Sequence, residues 1–195
     1  MRRIWRKALA QPVIGNHRAA TGRMSAGQAM RSGSEQEGKR ETMQDTMAEC
    51  PICAKQQGEV LGGPIYQDEL VYAHHVYNRE GPTFLGYVRA ETRRHVPSFA
   101  ELTPEEAQAV GLLIARLSKA IKACTGADHV YAFFYGDHVP HLHVHVFARY
   151  PGTPEEFWRE RVDEWPRSPK GGAEDVAALA QRLREYLAES AVVVD

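Results

Sequence analysis

His138-Val-Pro-His141-Leu-His143-Val-His145-Val-Phe147 decides how this chain is read. In an extended strand, alternate residues share a face. His141, His143 and His145 then line one side, and Leu142, Val144 and Val146 the other. The apolar side can enter a core. Three imidazoles in a row gain nothing from packing, yet each can titrate, bind a metal or act as a nucleophile. The spacing predicts a half-buried strand over 141–148 whose polar face carries chemistry.

Reading outward, Gly136-Asp137 is a turn and 129–135 reads as a neighbouring strand. So short a link makes the two strands antiparallel neighbours. Thr103-Pro-Glu-Glu106 is a helix start: Thr103 can cap, Pro104 fits the first position, and Glu106 completes a capping box. Ala107, Val110, Ile114, Leu117 and Ile121 follow helical spacing up to Thr125-Gly126. Upstream, 64–67, 69–77 and 83–89 read as strands, with a turn over 78–82. Downstream, prolines punctuate 151–169, and Val176, Leu179, Leu183 and Leu187 mark a helix over 174–188. This order predicts an α+β fold, an antiparallel sheet of about five strands with helices packed on it.

The chain has 195 residues, 43% of them hydrophobic, which suits one domain with a tail. Residues 1–46 are expected to be a disordered extension, and 47–190 one domain including the last helix. The first 34 residues contain seven Arg or Lys and no acid, so an organelle transit peptide or an upstream start codon is an alternative. A net charge of -1 argues against nucleic-acid binding, and no apolar run is long enough for a membrane helix. Three cysteines do not make a disulfide framework, so a cytoplasmic location is expected.

Cys50-Pro-Ile-Cys53 has the spacing of half a zinc site. A redox dithiol would open a helix after a βαβ strand, and no such strand precedes it; two buried, inert thiols are the other alternative. Two more ligands are needed, and His95 and His141 are reasonable ones. Same-face residues on a strand are about 6.6 Å apart, so His141 and His145 are about 13 Å apart at the backbone. One ion cannot take all three triad histidines, and at least one is free for other work. The free histidines suit phosphoryl chemistry, in which an imidazole attacks phosphorus and later leaves. Turn amides over 136–139 can cradle the anion.

These residues resemble the histidine triad (HIT) family. His141-Leu-His143-Val-His145-Val-Phe matches its His-φ-His-φ-His motif. The glycine-led turn at Gly136, Phe84-Leu-Gly-Tyr-Val, Thr92-Arg-Arg-His95 and Leu102-Thr-Pro-Glu-Glu are similar to its other elements, and Cys50-Pro-Ile-Cys53 to the start of its zinc-carrying bacterial members. The resemblance covers roughly 48–150. It implies a nucleotide hydrolase or transferase acting at an α-phosphate, with a nucleotide or nucleotide conjugate as substrate, and a homodimer. His143 would be the nucleophile and His145 a phosphate contact. Structural zinc would sit on Cys50, Cys53, His95 and His141. Asp137, His138 and Val139 would form the phosphate turn, where many members carry Gln-Ser or Gln-Thr. His75 would stand where many members hold ribose with an aspartate, and Tyr87 where a histidine is common. These departures keep two alternatives open: a non-catalytic nucleotide-binding or regulatory protein, and a metallohydrolase with catalytic zinc on the triad.

Overall fold

The computed structural model describes residues 50–190, and the expected extension over 1–46 lies outside them. The first element is a short helix, α1 (Pro51–Gln57). Strands β1 (Tyr66–Gln67), β2 (Val71–His75), β3 (Thr83–Phe84) and β4 (Tyr87–Thr92) follow. Then come α2 (Pro104–Thr125), β5 (His129–Phe133), β6 (His143–Arg149), β7 (Lys170–Gly171) and α3 (Ala173–Glu189). Five strands form one antiparallel sheet in the order β1-β2-β4-β6-β5, and β3 pairs with β7 in a separate ladder. The α+β expectation is met. No helix among the described residues is long and apolar enough to cross a membrane.

Helices α2 and α3 pack on each other, and α2 packs across the sheet. Val88, Ala90, Val144, Val146 and Ala148 face them from β4 and β6, with Leu117, Ile121, Leu183 and Leu187 in the same core. Thr103 caps α2 by accepting from the Glu106 amide, while the Glu106 carboxylate accepts from the Thr103 amide. Gly126 ends the helix in the left-handed conformation. The buried stripe runs through Val110, Leu113, Leu117 and Ile121; Ala107, expected to face the core, is exposed. Glu106 takes the buried position in the first turn because Arg94 neutralises it, at 2.6 Å.

Two elements differ from the sequence reading. No helix was expected at 51–57, because seven residues are too few for periodicity to register. The strand expected over 83–89 is two strands, β3 and β4, broken at Gly86. This glycine has φ 94°, and a Cβ there would lie 2.7 Å from Ala148 Cβ. Its amide donates to His75 Nε2 at 3.0 Å, and its carbonyl accepts from the Ala148 amide at 2.9 Å. Gly86→Ala combines left-handed strain with a clash. It should lower the unfolding free energy by about 2 kcal/mol, measured by urea denaturation; an unchanged midpoint would show that the backbone at 86 is not constrained.

Candidate active site and metal centre

The β4–β6 register pairs Arg89 with His145 and Glu91 with His143. Paired residues share a face, so these four project from the side away from α2. Tyr87 and Phe147 sit on the same side, and β2 adds Tyr72 and His74. One face of the sheet is thus apolar and covered by helices, and the other is built from imidazoles, aromatic rings and charges.

His141 stands just before β6, off the ladder. Its neighbour Leu142 accepts from the Thr92 amide and donates to Val96, which brings 92–96 alongside. His141 Nε2 donates to the Thr92 carbonyl at 2.8 Å. A carbonyl can only accept, so the proton is on Nε2 and the Nδ1 lone pair is free. Nδ1 lies 3.5 Å from Cys50 Sγ and 3.4 Å from Cys53 Sγ, and His95 Nδ1 lies 3.4 Å from Cys53 Sγ. Cys50 is the N-cap of α1 and Cys53 lies in its first turn, so the helix directs both sulfurs to one point. Arg94, paired with Glu106, ties the segment carrying His95 to the start of α2.

The four ligand atoms lie within 4.8 Å of one another. Tetrahedral zinc, with bonds of about 2.3 Å to sulfur and 2.0–2.1 Å to nitrogen, sets sulfur and nitrogen about 3.6 Å apart. The donor set and spacing therefore fit zinc. Among the described residues no other His, Cys, Asp or Glu cluster converges this way, and neither His143 nor His145 belongs to this one. Burial, and after it Cys50, push the Cys53 thiol up to about 11. A bound cation reverses that preference by stabilising thiolate.

His143 Nδ1 donates to the His141 carbonyl at 2.5 Å. Burial, and then the charges of Arg89 and Lys55, hold this imidazole below its usual pKa. It is therefore neutral at pH 7 with the lone pair on Nε2. Only 8% of the residue is exposed. The His145 ring lies 4.9 Å from it. His145 Nδ1 is 2.5 Å from the Tyr87 hydroxyl. Burial keeps Tyr87 protonated, so its hydroxyl donates and His145 carries its own proton on Nε2. One histidine thus presents a lone pair, and its neighbour presents a donor. Tyr87 stacks on Phe147 at 4.2 Å and orients His145.

The turn before the triad is less uniform. Asp137 and His138 are exposed. The Val139 side chain packs on the cluster of Cys50, Ile52 and Cys53. Gly136 has φ 74° and lies against the Phe134 ring, whose edge meets His143. His75, expected as a substrate contact, borders the cavity between α1 and the end of β2, with both of its ring nitrogens engaged within the protein. That ring is on the helix-covered face, 1% exposed, with Nδ1 bonded to the Val76 carbonyl and Nε2 accepting from Gly86. His74 holds the site-facing position instead. Arg89, Glu91, Lys55 and Gln56 went unnoticed in the sequence. Gln56 donates to Glu91 Oε2 and to the Thr92 carbonyl. The register of β4 against β6 is the signal that would have revealed Arg89 and Glu91.

Residues 57–152 match the family model of the HIT domain. Solved structures share the fold. A zinc-bound histidine triad family protein from Mycobacterium smegmatis is 18% identical with a TM-score of 0.55, covering 76% of this chain and 99% of its own. A hypothetical histidine triad nucleotide-binding protein from Sulfolobus tokodaii is 21% identical with a TM-score of 0.52, covering 70% and 89%. A histidine triad protein from Sinorhizobium meliloti is 25% identical with a TM-score of 0.50, covering 63% and 87%. No curated protein matches the sequence.

Burial holds His75 and His145 near pKa 4 when folded, while free imidazoles titrate near 6.5. Between those values the unfolded chain binds more protons, so stability is complete above about pH 6.5 and is lost as pH falls toward 4. The loss from His75 alone should be about 3 kcal/mol, read from urea unfolding at several pH values. His75→Gln, which keeps an acceptor for Gly86, should flatten the slope; an unaltered slope would contradict the assignment.

Proposed function

We propose that this chain, a member of the histidine triad family, is a nucleotide hydrolase or nucleotidyl transferase acting at an α-phosphate. The strongest support is the bond from His143 Nδ1 to the His141 carbonyl, which leaves the Nε2 lone pair unshared on the sheet face away from α2. His143 Nε2 attacks the α-phosphorus, and the bond from phosphorus to the leaving group breaks. The leaving group departs with the bonding electron pair and takes a proton from solvent water, and a nucleotidyl-histidine forms that keeps its Nδ1 proton on the His141 carbonyl. Water or another acceptor then attacks the same phosphorus, gives up its proton, and returns His143 to the neutral form. The Nε2 proton of His145, fixed by Tyr87, stabilises charge on the phosphoryl oxygens. His138 and the amides of the 136–139 turn add donors there.

Zinc on Cys50, Cys53, His95 and His141 is structural in this reading. When bound it holds both sulfurs as thiolates and cross-links α1, the 92–96 segment and the start of the histidine strand. The donor spacing and the zinc-bound relative support it. The domain extends past the matched segment to α3, whose Leu183 and Leu187 belong to the same core. We also infer a cytoplasmic homodimer, consistent with free cysteines and with β5 at an edge of the sheet.

Asp137 favours a second reading, a nucleotide-binding protein without turnover, because an acid in the phosphate turn opposes an anion. Trapping of a phosphohistidine separates the two. His143→Ala should lower turnover at least about 10³-fold while nucleotide affinity changes little, in a screen of dinucleoside polyphosphates, phosphoramidates, nucleotide sugars and adenylylated amines. Full activity in that variant excludes His143 as nucleophile. Metal analysis should give about one zinc per chain, lost in Cys50→Ser, Cys53→Ser; metal-free wild-type protein would rule out the zinc site.

A further inference from the structure

A cavity of about 470 Å³ opens beside the histidine row, between α1, the segment after it, and the end of β2. Lys55, His74 and Arg79 contribute its polar wall, together with Glu59. His74, Arg89 and His145 are successive cross-strand neighbours over β2, β4 and β6. His74 marks the cavity end of this line and His145 the triad end, about 10 Å apart at the strand spacing. Arg89 stands between them.

Along this line several hydrogen-bonding atoms have no partner within the protein. Arg89 Nε is buried without a partner, and so are His74 Nδ1 and Glu91 Oε1. Arg89 approaches Glu91 only to 3.8 Å and His74 only to 3.9 Å from the same oxygen, beyond hydrogen-bonding reach. The other Glu91 oxygen is taken by Gln56. Arg89 Nε is itself buried, and the exposed 19% of the side chain is the part a ligand on this face can meet. A partly buried guanidinium with an unused N–H is costly unless an anion completes it. Lys55 and Arg79 line the cavity, and none of the three triad histidines does.

We propose that Lys55, Arg79 and Arg89 receive a second anionic group of the substrate, a phosphate carried on the part of the molecule that enters the cavity. This rests on the nucleotide reading above and narrows it. The preferred substrates are nucleotides phosphorylated both at the attacked position and on the sugar. Arg89 donates across the middle of the line, and at its far end Lys55 acts as a point charge and Arg79 as a planar donor fork. Arg89 is here a specificity-determining residue, and the altered turn at Asp137 is offset by cations on the other side of the row.

The test is calorimetric binding to the full chain. Nucleoside 5′-monophosphates are compared with the matching 3′,5′- and 2′,5′-bisphosphates for each of the four common bases. At least one bisphosphate should bind about tenfold tighter or better than its monophosphate. Lys55→Met and Arg89→Met should each remove most of that preference, Arg89→Lys should keep part of it, and Lys119→Met, on the exposed side of α2, should leave it unchanged. Circular dichroism verifies that the variants fold. Equal affinities for mono- and bisphosphates overturn the second anion subsite and leave the nucleotide reading standing. A preference that survives in both Lys55→Met and Arg89→Met also overturns the subsite. No binding of any nucleotide overturns both.

Discussion

The pairing of β4 with β6 is the constraint on which the site depends. It places Val88 against Val146 and Ala90 against Val144, on the face covered by α2. The same register then obliges Arg89, Glu91, His143 and His145 to the opposite face. A slip of one residue would drive the imidazoles into the core and the valines into the site. The energetics of the apolar face therefore hold the geometry of the polar one. The ladder stops short of His141, and that residue turns to the cysteines and not to the row.

Backbone carbonyls assign the work of the histidines. The Thr92 carbonyl takes the His141 Nε2 proton, and the His141 carbonyl takes the His143 Nδ1 proton. These bonds leave opposite nitrogens free: Nδ1 of His141 toward the sulfurs, and Nε2 of His143 on the sheet face away from α2. His145 is oriented by a phenol in place of a carbonyl, and so presents a proton. Three identical side chains in one short segment thereby differ in role. Burial and the nearby cations keep His143 and His145 neutral, the state in which one can attack phosphorus and the other can donate.

Much of this was legible in the residues. The alternation at 141–147 and the capping signals at Thr103 and Gly126 are local, and local rules read them. The Cys-x-x-Cys spacing pointed to half of a candidate site, and Cys50, Cys53, His95 and His141 lie together in space. The phase of β2 was not legible. His74 and His75 are adjacent, and only pairing with β4 decides that His74 joins Arg89 while His75 bonds Gly86. Arg89 and Glu91 read as ordinary strand charges, because nothing nearby in sequence says that a histidine row lies across from them. Gly86 reads as a residue within a strand, since Ala148, the contact that excludes a side chain there, lies far along the chain.

Taken by itself, the sequence determined most element types, the two-residue period of the histidines and the cysteine and histidine donors of the candidate metal site, since each follows from short-range geometry and side-chain chemistry. The tertiary structure alone decided which face each side chain occupies, which ring nitrogen is free, and which charges are left without partners. Those depend on strand register and on carbonyls and cations brought together from distant segments, and register is set by how the whole core packs.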